Sequence, residues 1–172
     1  MRKFLLLIVA ALAVVAMPST ALAAVNVKSL PTATFSGPTV TLTGGNFSGL
    51  GSVPAIATLT VQGSATYTCT NQGGNASPGQ NPVPAQPGSA NQDLGNADHN
   101  GRGTITDLTA SVTAGPTPTP QQVGCGGGGS NNWTVTLNTL TATSAHLGIT
   151  QSGSIIFCRN YTLGGPTTGT AC

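Results

Sequence analysis

Glutamate is absent from this chain, and charge of either sign is scarce: five Lys and Arg stand against three Asp in 172 residues. Arg2 and Lys3 precede an apolar run at the N-terminus, so the remainder carries Lys28, Arg102 and Arg159 against Asp93, Asp98 and Asp107, a balance of zero. A nucleic-acid binder displaces counterions with clustered Lys and Arg, and that class is excluded. A coiled coil draws about half its residues from Ala, Glu, Lys, Leu and Arg, so it is excluded too. Aromatics are few, with one Trp, two Tyr and four Phe. Nowhere do apolar residues recur at helical spacing over three turns. Neither Gly-x-Ser-x-Gly nor His-Glu-x-x-His occurs, and a pocket of titratable groups has little to draw on.

What is present begins with an export signal. Arg2 and Lys3 form a positive n-region, Phe4–Met17 is wholly apolar, and Ala21-Leu22-Ala23 fits the small-x-small rule for cleavage. Fourteen apolar residues reach about 21 Å at 1.5 Å per residue, short of the roughly 30 Å of hydrocarbon in a bilayer. The reading is a signal peptide over 1–23 and a secreted domain over 24–172, extracellular or at the cell surface. No later stretch is long or apolar enough to span a membrane.

The secreted part is rich in Gly and Thr, and Thr alternates with Val, Leu or Ala at period two, which is a strand signal. Thr39–Thr43 alternates up to Gly44-Gly45. From Ala57 to Cys69 the apolar residues share one parity, and Gly63 falls on the same face, which predicts a bend or a close backbone approach. Gly103–Thr113 changes parity part-way, which predicts a bulge. Trp133–Leu137, Leu147–Ile149 and Ile155–Cys158 follow, and Val25–Leu30 is a candidate first strand. The pattern predicts an all-β chain, a single β-sandwich of immunoglobulin-like or Greek-key type with about seven strands and one polar face per sheet. Asn71–Gly101, with Pro78, Pro82, Pro84 and Pro87, reads as one long loop, and Gly115–Asn132 as a second.

Four cysteines in an exported chain read as two disulfides, for which three pairings exist. Cys69–Cys125 with Cys158–Cys172 is the first choice, because Cys69 and Cys125 flank the two loops around Gly103–Thr113 and Cys172 would pin the C-terminal tail. Cys69–Cys158, both on strands, is the alternative inter-sheet bridge. No C-x₂-C pair supports zinc.

All three acidic residues fall between Asp93 and Asp107. With Asn96 as position 1, oxygen side chains fall at 1, 3 and 5 (Asn96, Asp98, Asn100), a Gly at 6 (Gly101) and a carboxylate at 12 (Asp107). That spacing matches a calcium loop, in which alternate side chains turn oxygens inward around a hard cation. Asn at position 1, the shorter Asp at position 12 and the nearby Arg102 set the expected affinity in the millimolar range of extracellular modules. The competing reading is a solvated Asn-Gly turn in which Arg102 pairs with Asp98 or Asp107 at the surface.

Asp98-His99 invites a hydrolase reading, but a nucleophile–base–orienter set needs three groups in reach, and abundant Ser and Thr single out no nucleophile. His146 reads as a surface or turn residue. Trp133 alternates with Val135 and Leu137 and reads as core rather than a stacking platform for sugar. Asn46, Asn75, Asn132 and Asn160 head glycosylation sequons, a number close to chance in a chain this rich in Asn, Ser and Thr.

The stretch Ala65-Thr-Tyr67-Thr-Cys69-Thr-Asn71-Gln-Gly73-Gly74-Asn75, followed by a Gly-rich Cys125, resembles small secreted β-rich proteins of high-GC Gram-positive bacteria. The resemblance covers about Val61–Leu140, and it implies export and a Cys69–Cys125 bridge but no activity. The expectation is a non-enzymatic structural or cell-surface protein that associates with itself through strand edges, Val25–Leu30 among them, or with components of the cell envelope. The alternative is a ligand-binding module with calcium in the 93–107 loop, and the third is a hydrolase.

Overall fold

The computed structural model describes residues 25–51, 53–95, 101–125 and 132–172. It is all-β, and the described residues contain no α-helix. The proposed signal segment, 1–23, lies outside the described residues. The strands are β1 (Asn26–Ser29), β2 (Thr32–Ser36), β3 (Thr39–Thr43), β4 (Gly45–Ser48), β5 (Ala55–Asn71), β6 (Ala76–Pro78), β7 (Val83–Pro84), β8 (Gly88–Asp93), β9 (Gly103–Ile105), β10 (Leu108–Ser111), β11 (Trp133–Gln151), β12 (Ser154–Thr162) and β13 (Thr170–Ala171).

They form three sheets rather than the two of the expected seven-strand sandwich. Two are small, ordered β1-β4-β9 and β10-β3-β2. The third has seven strands: β13-β12-β11-β5-β6 with β7 and β8 also on β5, and it curls into a half-barrel. Its spine is the antiparallel ribbon of β5 and β11, paired from Ala55↔Gln151 to Asn71↔Trp133. The ribbon forms because Thr and Val favour a pleated, half-buried surface and the apolar residues keep one parity along β5.

Three departures from the sequence reading have physical causes. Trp133–Leu137 and Leu147–Ile149 belong to one strand, because bulges between Leu137 and Thr139 and between Ala142 and Ser144 reset the parity twice. The parity change in Gly103–Thr113 is a switch of sheet, β9 pairing with β4 and β10 with β3, with Asp107 at φ +44° between them. The segment Asn71–Gly101 is only partly loop: β6, β7 and β8 run down the edge of β5 that β11 leaves open. Between β6 and β7 the Asn81 side chain takes the place of a peptide group. It accepts from the Tyr67 N–H and donates to the Tyr67 carbonyl, both at 2.8 Å.

The core has two parts. In the larger, Leu59, Val61, Leu147 and Ile149 of the ribbon meet Val40 and Leu42 of β3, Phe47 of β4, Ile105 of β9 and Leu108 of β10. Phe47 meets Phe157 edge-on at 5.0 Å between ring centres. The smaller gathers Ala65, Tyr67, Cys69, Val123 and Cys125, with Trp133 half-buried against it. The cysteines pair as Cys69–Cys125 and Cys158–Cys172, with Cα atoms 6.0 and 5.8 Å apart. Gly63 lies between the two parts, where a side chain would run into the Thr141 carbonyl; this is the close approach its place on the apolar face predicts.

Candidate functional site

Of the calcium-loop residues, Asn96, Asp98 and Asn100 lie outside the described residues, as does His99. Asp93 ends β8 and its carboxylate accepts from the Gly95 N–H at 2.8 Å, closing a local turn. Asp107 sits in the β9–β10 connection, where its carbonyl accepts from the Thr109 hydroxyl at 3.3 Å. Gly101 adopts φ +64° and is buried against the Leu50 loop, its carbonyl accepting from the Leu50 N–H at 2.9 Å. Gly101 thus takes the left-handed conformation that favours glycine, and it docks on the Leu50 loop. Among the described residues, no three His, Cys, Asp or Glu side chains gather closely enough to hold a metal ion.

What the structure does assemble is an uncharged hydroxyl face. The apolar parity of β5 and β11 turns inward, so the opposite parity turns out. Along the ribbon Thr70 faces Thr134, Thr68 faces Thr136, Thr66 faces Thr139 and Ser64 faces Thr141. Farther on, Gln62 faces Ser144 and Thr60 faces His146. Hydroxyls bond across the strands, Thr66 to Thr139 at 2.6 Å. No Lys, Arg, Asp or Glu stands in these rows. Strand spacing of about 4.8 Å and a two-residue repeat of about 6.8 Å make the rows a regular grid.

The small β10-β3-β2 sheet repeats the device. Ser36–Thr39–Ser111 forms one row and Thr34–Thr41–Thr109 the next, with Thr32–Thr43 beyond. Thr39 bonds Ser111 at 2.7 Å and Thr41 bonds Thr109 at 3.0 Å. Val40 and Leu42, alternating with these threonines, are buried on the opposite side. One polar face per sheet was legible in the alternation; that the faces consist of aligned hydroxyl rows required the register.

His146 lies at the end of the long face. Its Nδ1 is 2.8 Å from the Asn160 side-chain oxygen and 3.9 Å from the Cys172 sulfur. It lines a cavity of about 260 Å³ with Thr60, Gln62, Ser144 and Thr162, and no carboxylate lines that cavity to orient it as a base. Tyr161, also beside this cavity, is buried and donates to the Pro31 carbonyl at 3.3 Å. Burial pushes its phenol up to about 12, while neighbouring Arg159 pulls the other way. A second cavity of about 300 Å³ brings Lys28 and Arg102 together with Asn46, Ser48 and Thr104 on the β1-β4-β9 sheet. Among the described residues no helix is long and apolar enough to cross a membrane.

Comparison with protein-family models, with curated proteins and with solved structures finds no match in any of the three.

Proposed function

We propose that this chain is a non-enzymatic, exported protein of the cell surface or extracellular matrix, working through its hydroxyl faces and strand edges. The observation that carries the reading is the uncharged ladder along β5 and β11, which offers donors and acceptors in register and no titratable group but His146. Such a face suits contact with other neutral, hydroxylated material of a cell envelope, where charge would bring nothing. Two disulfides fit an oxidising compartment, and they fit the resemblance of the Tyr67–Asn75 stretch to small exported proteins. The two small sheets, sharing one apolar cluster with the half-barrel, serve as the second layer of a sandwich.

The test is co-sedimentation of the secreted chain with washed cell-envelope material. The chain is expected to pellet, and the double variant Thr66→Lys, Thr139→Lys is expected to stay in the supernatant at least tenfold more. Equal recovery of both proteins in the supernatant, or turnover of ester, glycoside or phosphate substrates by the chain alone, overturns the reading.

A further inference from the structure

We infer that the outer face of the β1-β4-β9 sheet binds a phosphate group, with Lys28 and Arg102 as the two charged arms of the site. This goes beyond the reading above, because it uses a different sheet and it uses charge, which the hydroxyl ladder lacks.

The chain has little positive charge to place. Beyond residue 23 it holds three cations, Lys28, Arg102 and Arg159. Lys28 and Arg102 stand far apart in sequence, yet they line one cavity of about 300 Å³. Among the described residues, no carboxylate lines that cavity. Like charges brought to one cavity repel each other, and an anion between them turns that repulsion into attraction for both.

The backbone aims both side chains. On β1, Val27 faces Phe47 and Ser29 faces Asn46, so Lys28 is the extra residue of a bulge. A bulge re-aims a side chain, and this one brings Lys28 to the cavity that Asn46 and Ser48 line. Arg102 lies between Gly101 and Gly103, both buried against Leu50. Gly101 adopts φ +64°, and a side chain at Gly103 would run into the Leu50 side chain. The stretch that carries Arg102 is therefore docked on the core by two residues that need to be glycine. Arg102 has the parity of Thr104, which faces Asn46 across β9 and β4, so it stands outward with them.

Neutral groups make the floor. The Asn46 amide donates to the Ser29 hydroxyl at 2.7 Å, and its oxygen accepts from the Thr104 hydroxyl at 2.9 Å. Those two bonds lock side chains across all three strands, with Phe47 buried beneath. The Ser48 hydroxyl and the Lys28 ammonium supply donors above the floor. Arg102 has another engagement as well, and the five N–H donors of a guanidinium allow a second. A planar fork, a point charge on a flexible stem and a hydroxyl suit a phosphate, which offers more oxygens and more charge than a carboxylate. Lys28, Asn46, Arg102 and Thr104 are exposed, so the site is open to a phosphate carried on a polymer as well as to the free ion.

The test is an NMR titration of the secreted chain at low salt, where screening is weakest, with inorganic phosphate, a glycerol phosphodiester and acetate. Inorganic phosphate or the diester is expected to shift the amide signals of Lys28, Ser48 and Arg102 saturably, and acetate to bind at least tenfold more weakly. A tighter diester assigns the phosphate to a polymer, and tighter inorganic phosphate assigns it to the free ion. Lys28→Gln and Arg102→Gln are each expected to weaken binding at least tenfold, Lys28→Gln with the wild-type melting curve, whereas Arg159→Gln leaves binding as it was. No saturable shift at these residues, acetate as tight as phosphate, or equal loss in Arg159→Gln overturns the site. Binding that appears only in Asp98→Asn also overturns it, since the chain's own carboxylate would then be the occupant.

Discussion

The two halves of the β5–β11 ribbon alternate apolar residues inward alike, and differ in what meets them there. Outside, paired hydroxyls from Ser64–Thr141 to Thr70–Thr134 cover one half, while Thr60–His146, Thr58–Gly148 and Ile56–Thr150 form the rows of the other. Under Ala55–Val61 the small sheets supply Val40, Leu42, Phe47, Ile105 and Leu108, and the half-ribbon is held by burial. Under Ala65–Asn71, among the described residues, only Val123 and Cys125 arrive from outside the ribbon to be buried. There the holding is specific instead: the Cys69–Cys125 bond, the Asn81 amide on Tyr67, and the Tyr67 hydroxyl on the Ala114 carbonyl at 3.4 Å. Where apolar area runs short, a covalent link and side-chain-to-backbone bonds stand in for it, as in small secreted domains generally.

Four perturbations would break or sharpen this contrast. The largest is removal of the Cys69–Cys125 bond with a double Ser variant. Its closed loop, with a sequence separation of 56, corresponds to about 4 kcal/mol in the chain-entropy picture. Hydrogen exchange read by mass spectrometry should show residues 65–71 and 133–137 losing protection while 55–61 and 145–151 keep theirs. Leu59→Ala, costing about 3 kcal/mol, should instead loosen the first half. Uniform loss in both variants would make the ribbon one cooperative unit.

Asn81→Ala comes next. It strands the Tyr67 N–H at a part-buried position and leaves the Tyr67 carbonyl only the long bond from the Gly79 N–H at 3.4 Å, for a cost of about 2 kcal/mol on thermal melting, and Asn81→Asp should recover part by restoring the acceptor. A change no greater than an exposed Asn would give would show that the edge does not need this rung.

The smallest effect is alkaline and belongs to the first half, where Tyr161 is buried. Its phenol titrates at 10.0 when unperturbed and is pushed up to about 12 in the fold. The unfolded chain therefore gives up its proton first. The stability linked to this group is whole below pH 10 and drains away as pH rises toward about 12. Tyr161→Phe should flatten that part of the pH–stability curve; an unchanged slope would locate the alkaline loss elsewhere.

The sequence carried the strands whose apolar residues keep one parity. Thr39–Thr43 is β3 residue for residue, and Ala57–Cys69 lies inside β5. It concealed β8, Gly88–Asp93, whose side chains are small or polar and whose place is set by backbone pairing with β5. It concealed the unity of β11, because each bulge turns a continuing pattern into the look of a new one. β2 carries a legible signal too: Thr32–Ser36 alternates between Pro31 and Gly37-Pro38, which marks a hairpin. Of the candidate site, the hydroxyl composition was visible, whereas the Thr66–Thr139 and Thr39–Ser111 pairs span more than 70 positions and only register could join them.

Gly63 has an implication for what variation the chain can bear. A saturation library at position 63 should return glycine almost alone, since even a methyl group meets the Thr141 carbonyl. Three residues along, Thr66 is on the outer face, and Ser, Asn or Gln there would leave the pleat undisturbed. The molecule thus has one nearly immutable point on its spine, bordered by a surface free to be rewritten.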